Sequence, residues 1–179
     1  MKFFTYIFLC TLPMFFLGCV KDTDFDQLDA VVFTPEIELD LIYFNLDAGE
    51  FFDETTNTAR FTVRDTTALE FLDSNEITGS IQEIDFLFDF NNAIPRTFEV
   101  DFEFLRMDNS ATYTTGTVVQ PGTTDSPTNT SFTEVVEGED LNSIESASKV
   151  VVSVTIPAAD AALNGNLTLQ SKATYFIEY

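Results

Sequence analysis

Histidine and tryptophan are absent from this chain, and its 179 residues include only two cysteines. Lack of His removes the side chain best suited to proton transfer near neutral pH and the commonest metal ligand. Ser-His-Asp triads, Cys-His pairs and His-based metal centres are therefore excluded. Both cysteines, Cys10 and Cys19, lie near the start of the chain. Beyond them no disulfide, thiolate nucleophile or zinc-thiolate site can form. Basic residues are scarce as well, 8 against 30 acidic ones, for a formal charge of −22. Such a field repels nucleic acid and anionic head groups, and both are set aside as partners. Even so, a content of 45% hydrophobic residues with 20 Phe is not that of an acidic disordered tail. It is enough for one domain with a real interior.

Long apolar runs are missing but for one. Residues 3–16 are almost unbroken apolar, preceded by Lys2 and followed by the small Gly18 and then Cys19. A membrane span wants about 20 apolar residues, so this segment reads as a cleaved secretory signal over residues 1–18. The quartet Phe16-Leu17-Gly18-Cys19 resembles a bacterial lipobox. The resemblance implies cleavage before Cys19, acylation of that cysteine, and a lipid anchor. Lys21-Asp22-Thr23-Asp24 resembles the export signal of Bacteroidota lipoproteins, a Lys followed by acids just after the lipidated cysteine. It assigns Lys21, Asp22 and Asp24 to export and implies an outer-membrane protein facing the cell surface. A periplasm-facing anchor stays open. Residues 19–35 form an acidic tether. Asp22, Asp24 and Asp26 do not make a calcium-binding EF-hand loop, because Gln27 and Phe33 stand where Gly and Glu are required.

Residues 36–179 read as one all-β domain. Ile37, Leu39 and Leu41 alternate with polar neighbours, and shorter strand patterns cover residues 60–64 and 68–72 around a turn-like Asp65-Thr66-Thr67. Periodicity is clearest over residues 79–107. Ile84, Phe86, Phe88 and Phe90 fall on one face of a first run, Phe98, Val100, Phe102 and Phe104 on one face of a second. With Asn and Pro between them, the two runs read as an antiparallel hairpin with Phe90 opposite Phe98. Residues 114–130 read as a long loop or two strand ends, residues 139–147 as a short helix, and residues 158–163 as one helical turn. Residues 150–156 form a β-branched central strand, and residues 166–179 a last strand. The expected fold is an antiparallel β-sandwich of about seven to eight strands with one or two short helical turns. The last strand also resembles that of an outer-membrane barrel. Too few of the runs reach the 9–11 residues that a barrel strand needs.

Chemistry-bearing candidates lie mainly on the wet face of the expected hairpin. Its pairing sets Asp89 against Glu99 and Asp85 against Glu103, and opposed like charges destabilise a sheet. Glu83, Asp85, Asp89, Glu99, Asp101 and Glu103 are therefore candidates for binding Ca²⁺ or a Lys/Arg-rich protein partner. No other cofactor is expected. Thr66 is a candidate O-glycosylation acceptor, because Asp65-Thr66-Thr67 resembles the Asp-Thr sequon of exported Bacteroidota proteins. Without Trp, sugar stacking falls to Tyr43, Tyr113 or Phe132. A non-enzymatic, lipid-anchored protein of the outer membrane with a binding or structural role is expected. The alternative is a carbohydrate-binding accessory lipoprotein of a glycan uptake system.

Overall fold

Alternating patterns become strands throughout the computed structural model, which describes residues 34–69 and 79–178. Cys19, Lys21, Asp22 and Asp24 lie outside the described residues. In chain order the elements are β1 (Glu36–Asp47), β2 (Phe52–Asp53), β3 (Thr58–Ala59), β4 (Thr62–Ala68), β5 (Ile81–Asn92) and β6 (Phe98–Leu105). Then follow β7 (Ala111–Val119), β8 (Thr128–Glu137), α1 (Glu139–Glu145), β9 (Lys149–Thr155) and β10 (Asn166–Ile177). Two four-stranded antiparallel sheets result. Sheet I has the order β1-β10-β5-β8 and sheet II the order β4-β9-β6-β7, while β2 and β3 form a separate small ribbon. The sheets pack as a sandwich, because each has one apolar face that only the other can cover.

The expected hairpin is not formed. β5 pairs with β10 and β8, whereas β6 pairs with β7 and β9. The two Phe rows therefore lie in different sheets and face each other through the core. Phe88 stacks on Phe102 with ring centroids 4.0 Å apart, and Phe86 meets Phe104 at 5.1 Å. All four rings are fully buried.

The physical reason lies at Asn92, where the chain leaves sheet I. Its fully buried side chain donates to the carbonyls of Arg96 and Gln120, each at 2.9 Å. Its Oδ1 accepts the Ile94 N–H at 2.8 Å. These bonds bend residues 93–97 out of the sheet plane, and Ile94 seals one end of the core. Gly122 and Gly165 press against this corner. A Cβ at Gly122 would lie 1.9 Å from the Asn92 carbonyl, and one at Gly165 would lie 2.2 Å from that of Ala93.

Other expectations divide. The strand over residues 150–156 is central, as β9 between β4 and β6. The short helix exists as α1 and buries Leu141 and Ile144. Asp65-Thr66-Thr67 is not a turn: β4 runs straight through it, paired with Val150, Val151 and Val152. The Thr-rich stretch is two strands, β7 and β8, belonging to opposite sheets. Residues 158–163 contribute one hydrogen-bonded turn, from the Leu163 N–H to the Asp160 carbonyl at 3.1 Å.

Truncating Phe88 or Phe102 to Ala should cost about 3–5 kcal/mol each. The double mutant should reveal a coupling of about 0.5–1.5 kcal/mol, as expected of stacked rings. Urea unfolding of the three variants measures both quantities, and zero coupling would contradict the facing arrangement.

Candidate functional site

The six acids taken for one wet face separate onto two. Glu83, Asp85 and Asp89 lie on the outer side of sheet I, and Glu99, Asp101 and Glu103 on the outer side of sheet II. No ion can be shared by all six. Asp89 lies opposite Ser131 and Gln170, not opposite Glu99. Glu83 faces Glu137 across β5 and β8, so some repulsion persists at that end of sheet I. Among the described residues, no group of three or more Asp, Glu, His or Cys side chains could hold a metal ion. Thr66 is exposed, as an acceptor hydroxyl must be, in extended backbone whose N–H donates to Asp65 Oδ1 at 2.8 Å.

Of the three aromatic candidates only Tyr43 is available. Phe132 packs on the core, with its ring 5.9 Å from that of Phe88. Tyr113 is part-buried, and its hydroxyl donates to Glu134 Oε1. Burial first, then the Glu134 hydrogen bond and charge, push its phenol well above the ordinary range. Glu134 Oε2 also accepts from Thr115 Oγ1 at 2.9 Å. The carboxylate thus clips β8 of sheet I to β7 of sheet II. Tyr43, by contrast, is 68% exposed.

The position of Tyr43 follows from a β-bulge. The register between β1 and β10 shifts between Asp40 and Tyr43, so Leu41 and Ile42 are accommodated out of step. Ser171 fills the irregularity from inside: its Oγ accepts the Ile42 N–H at 2.9 Å and donates to the Ile42 carbonyl at 3.0 Å. Both backbone groups are thereby satisfied in a buried place. The bulge re-aims the edge strand and leaves Tyr43 standing on the outer face.

A polar row extends from Tyr43 across the whole of sheet I. Tyr43 pairs with Gln170, Gln170 with Asp89, and Asp89 with Ser131. The parallel row is Asn45, Thr168, Asn91 and Asn129. Asn91 Nδ2 donates to Asn129 Oδ1 at 2.7 Å, and Asn166 Nδ2 to Asn45 Oδ1 at 2.8 Å. Two shallow depressions, about 470 and 360 Å³, share Gln170. One borders Tyr43 and the bulge; the other lies over Asp89, Asn91, Asn129 and Thr168. Neither is lined by a Lys or Arg. The face offers one aromatic platform and a set of carboxylate, amide and hydroxyl groups, which suits a neutral ligand rich in hydroxyls. Gln170, Thr168, Asn91 and Asn129 escaped the sequence reading. Their only signal was outward parity on strands whose partners were unknown.

No family model matches the chain, and no curated protein matches it. Among solved structures it is similar to the VP2 subviral particle of infectious bursal disease virus, at 8% identity and a TM-score of 0.45. That match covers 80% of this chain and 32% of the viral one. A protein described as secreted from Parabacteroides distasonis matches at 12% identity and a TM-score of 0.46, over 64% of this chain and 38% of its own. Tailspike protein 4 of bacteriophage CBA120 matches at 10% identity and a TM-score of 0.40, over 82% of this chain and 19% of its own. The chain spans well under half the length of each, and no function is carried across from them.

Two outcomes follow from this geometry. Ser171→Ala should strand both backbone groups of Ile42 and cost about 1–3 kcal/mol, read from the urea midpoint. Alkaline pH should also weaken the fold. Burial pushes the Tyr175 phenol up to about 12 from an ordinary 10.0, and Tyr113 moves in the same direction. The unfolded chain loses these protons first, so stability is full below pH 10 and falls as pH rises towards 12. Unfolding at a series of pH values, with Tyr175→Phe as the flatter comparison, measures the slope.

Proposed function

We propose that this chain is a non-enzymatic lipoprotein of a bacterial outer membrane whose sandwich presents the outer face of sheet I to a glycan. Attachment rests on Cys19, with Lys21, Asp22 and Asp24 directing export toward the cell surface. Two acyl signals are needed for stable anchoring, so a diacylglyceryl thioether at Cys19 supplies the minimum. The non-enzymatic reading is supported by the lack of His and of any thiol beyond the leader and anchor.

One observation carries the glycan reading: Tyr43, 68% exposed, begins an unbroken polar row through Gln170 and Asp89. An aromatic face packs against the C–H side of a pyranose, while its hydroxyls donate to Asp89 and exchange hydrogen bonds with Gln170 and Asn129. Shallow depressions on a sheet face suit a chain of sugars passing over the surface better than a small molecule held in a cavity. The protein then acts as an accessory that captures glycan at the surface for an uptake system. An exposed Thr66 on the opposite sheet leaves an O-linked sugar clear of this face.

Fractionation and a glycan array test the two halves. Cys19→Ala should move the protein from the membrane to the soluble fraction with its fold intact; retention in the membrane would refute the anchor. The mature protein should bind neutral glycans on the array. Tyr43→Ala should weaken that binding at least about tenfold, and Tyr43→Phe should keep most of it. Binding untouched by Tyr43→Ala would remove the face from consideration.

A further inference from the structure

The outer face of sheet II holds a second polar depression, on the opposite side of the sandwich from Tyr43. Arg64 on β4 pairs with Ser153 on β9, Ser153 with Asp101 on β6, and Asp101 with Gly116 on β7. A hollow of about 310 Å³ lies over Arg64, Ser153 and Asp101, with Glu103 beside them. Thr62 and Thr155 close one end, their hydroxyls 3.1 Å apart.

Three features mark this hollow as built for a ligand. Ser153 is only 5% exposed, and its Oγ is buried without a hydrogen-bond partner. A buried hydroxyl normally finds one, and Ser153 is among the residues that line the hollow. Arg64 and Asp101 stand on either side of it, two strands or roughly 10 Å apart along the sheet. Among the described residues neither makes an ion pair with the other or with any third group. Gly116 is the third feature. A Cβ there would lie 2.8 Å from the Val100 carbonyl and 3.0 Å from Asp101 Oδ1. The bare position lets the carboxylate lie against β7.

A guanidinium that only donates, a carboxylate that only accepts and a hydroxyl able to do both are set in line. A pair of neighbouring sugar hydroxyls matches that order, since each can accept from Arg64 or Ser153 and donate to Asp101 or Glu103. An anionic ligand would meet two carboxylates in a chain of formal charge −22, and a cationic one would meet Arg64. We infer that Arg64, Ser153 and Asp101 form a binding subsite for a neutral saccharide, separate from the Tyr43 face and independent of it.

The test is an NMR titration of the mature protein with neutral tetrasaccharides of α-glucose, β-glucose, β-xylose and α-mannose at millimolar concentration. At least one should give saturable shifts at the Ser153 and Gly116 amides and at Arg64 Nε. Asp101→Asn and Ser153→Ala should each weaken that response at least fivefold, whereas Tyr43→Ala should leave it unchanged. Both substitutions keep side-chain volume close to native, and an unchanged amide spectrum elsewhere verifies the fold. Absence of saturable shifts with all four sugars overturns the subsite. So does a response insensitive to Asp101→Asn, or a stronger response to glycine or inorganic phosphate. Loss of the response in Tyr43→Ala would mean a single site and would overturn the claim of independence.

Discussion

Asn92 imposes the constraint on which the rest of the molecule depends. Its amide ties two carbonyls and one N–H at the corner where the chain leaves sheet I. Because the side chain is fully buried, any unmet bond would cost free energy in full. The corner sends β6 into the opposite sheet, and from that single turn the two Phe rows come to face each other. A hairpin would have set both rows on one side of one sheet, leaving half of them without a cover. The crossover converts two amphipathic strands into the two walls of a core.

The same corner decides what each outer face carries. Apart from Asn92 the inward positions of β5 and β6 are apolar, so their acids must point outward, and they point away from each other. The acids of β5 and β6 are thereby divided between both sides of the sandwich, which lowers the repulsion each sheet must bear. Neither face becomes a dense anionic plate. The acids stand among Asn, Gln, Ser and Thr, and two of them, Asp89 and Asp101, take places in mixed polar rows.

Much of this was legible from parity alone. Alternation identified which residues of β5, β6 and β10 face inward, since a period of two needs no knowledge of the neighbour. What alternation cannot carry is the partner. A five-residue link after Asn92 fits a hairpin as well as a corner, and one of the deciding bonds runs from Asn92 to the carbonyl of Gln120, 28 residues further on. Errors over the candidate site descend from that one ambiguity: Asp89 was set against Glu99, when its neighbours are Gln170 and Ser131. Tyr43 was visible as an aromatic, but its exposure depends on a bulge held by Ser171, 129 residues away. Asp65-Thr66-Thr67 was misread for a different reason. Asp and Thr favour turns in isolation, whereas the β-branched threonines here pair with a valine-rich central strand.

The two edges of sheet I are blunted by the fold itself. Open edge strands are templates for unwanted pairing, and proteins blunt them with bulges and inward-pointing charges. β1, at one edge of sheet I, carries the bulge at Leu41 and Ile42. β8, at the other edge, turns Glu134 inward, where Tyr113 and Thr115 of β7 bind both of its oxygens. An inward carboxylate there is tolerable only because the facing sheet supplies hydroxyls at that height. Any chain adding to β8 would have to meet a strand already clipped to its opposite number. With these edges occupied by their own structure, the surfaces that keep free polar groups in register are the two outer faces, one centred on Gln170 and the other on Ser153.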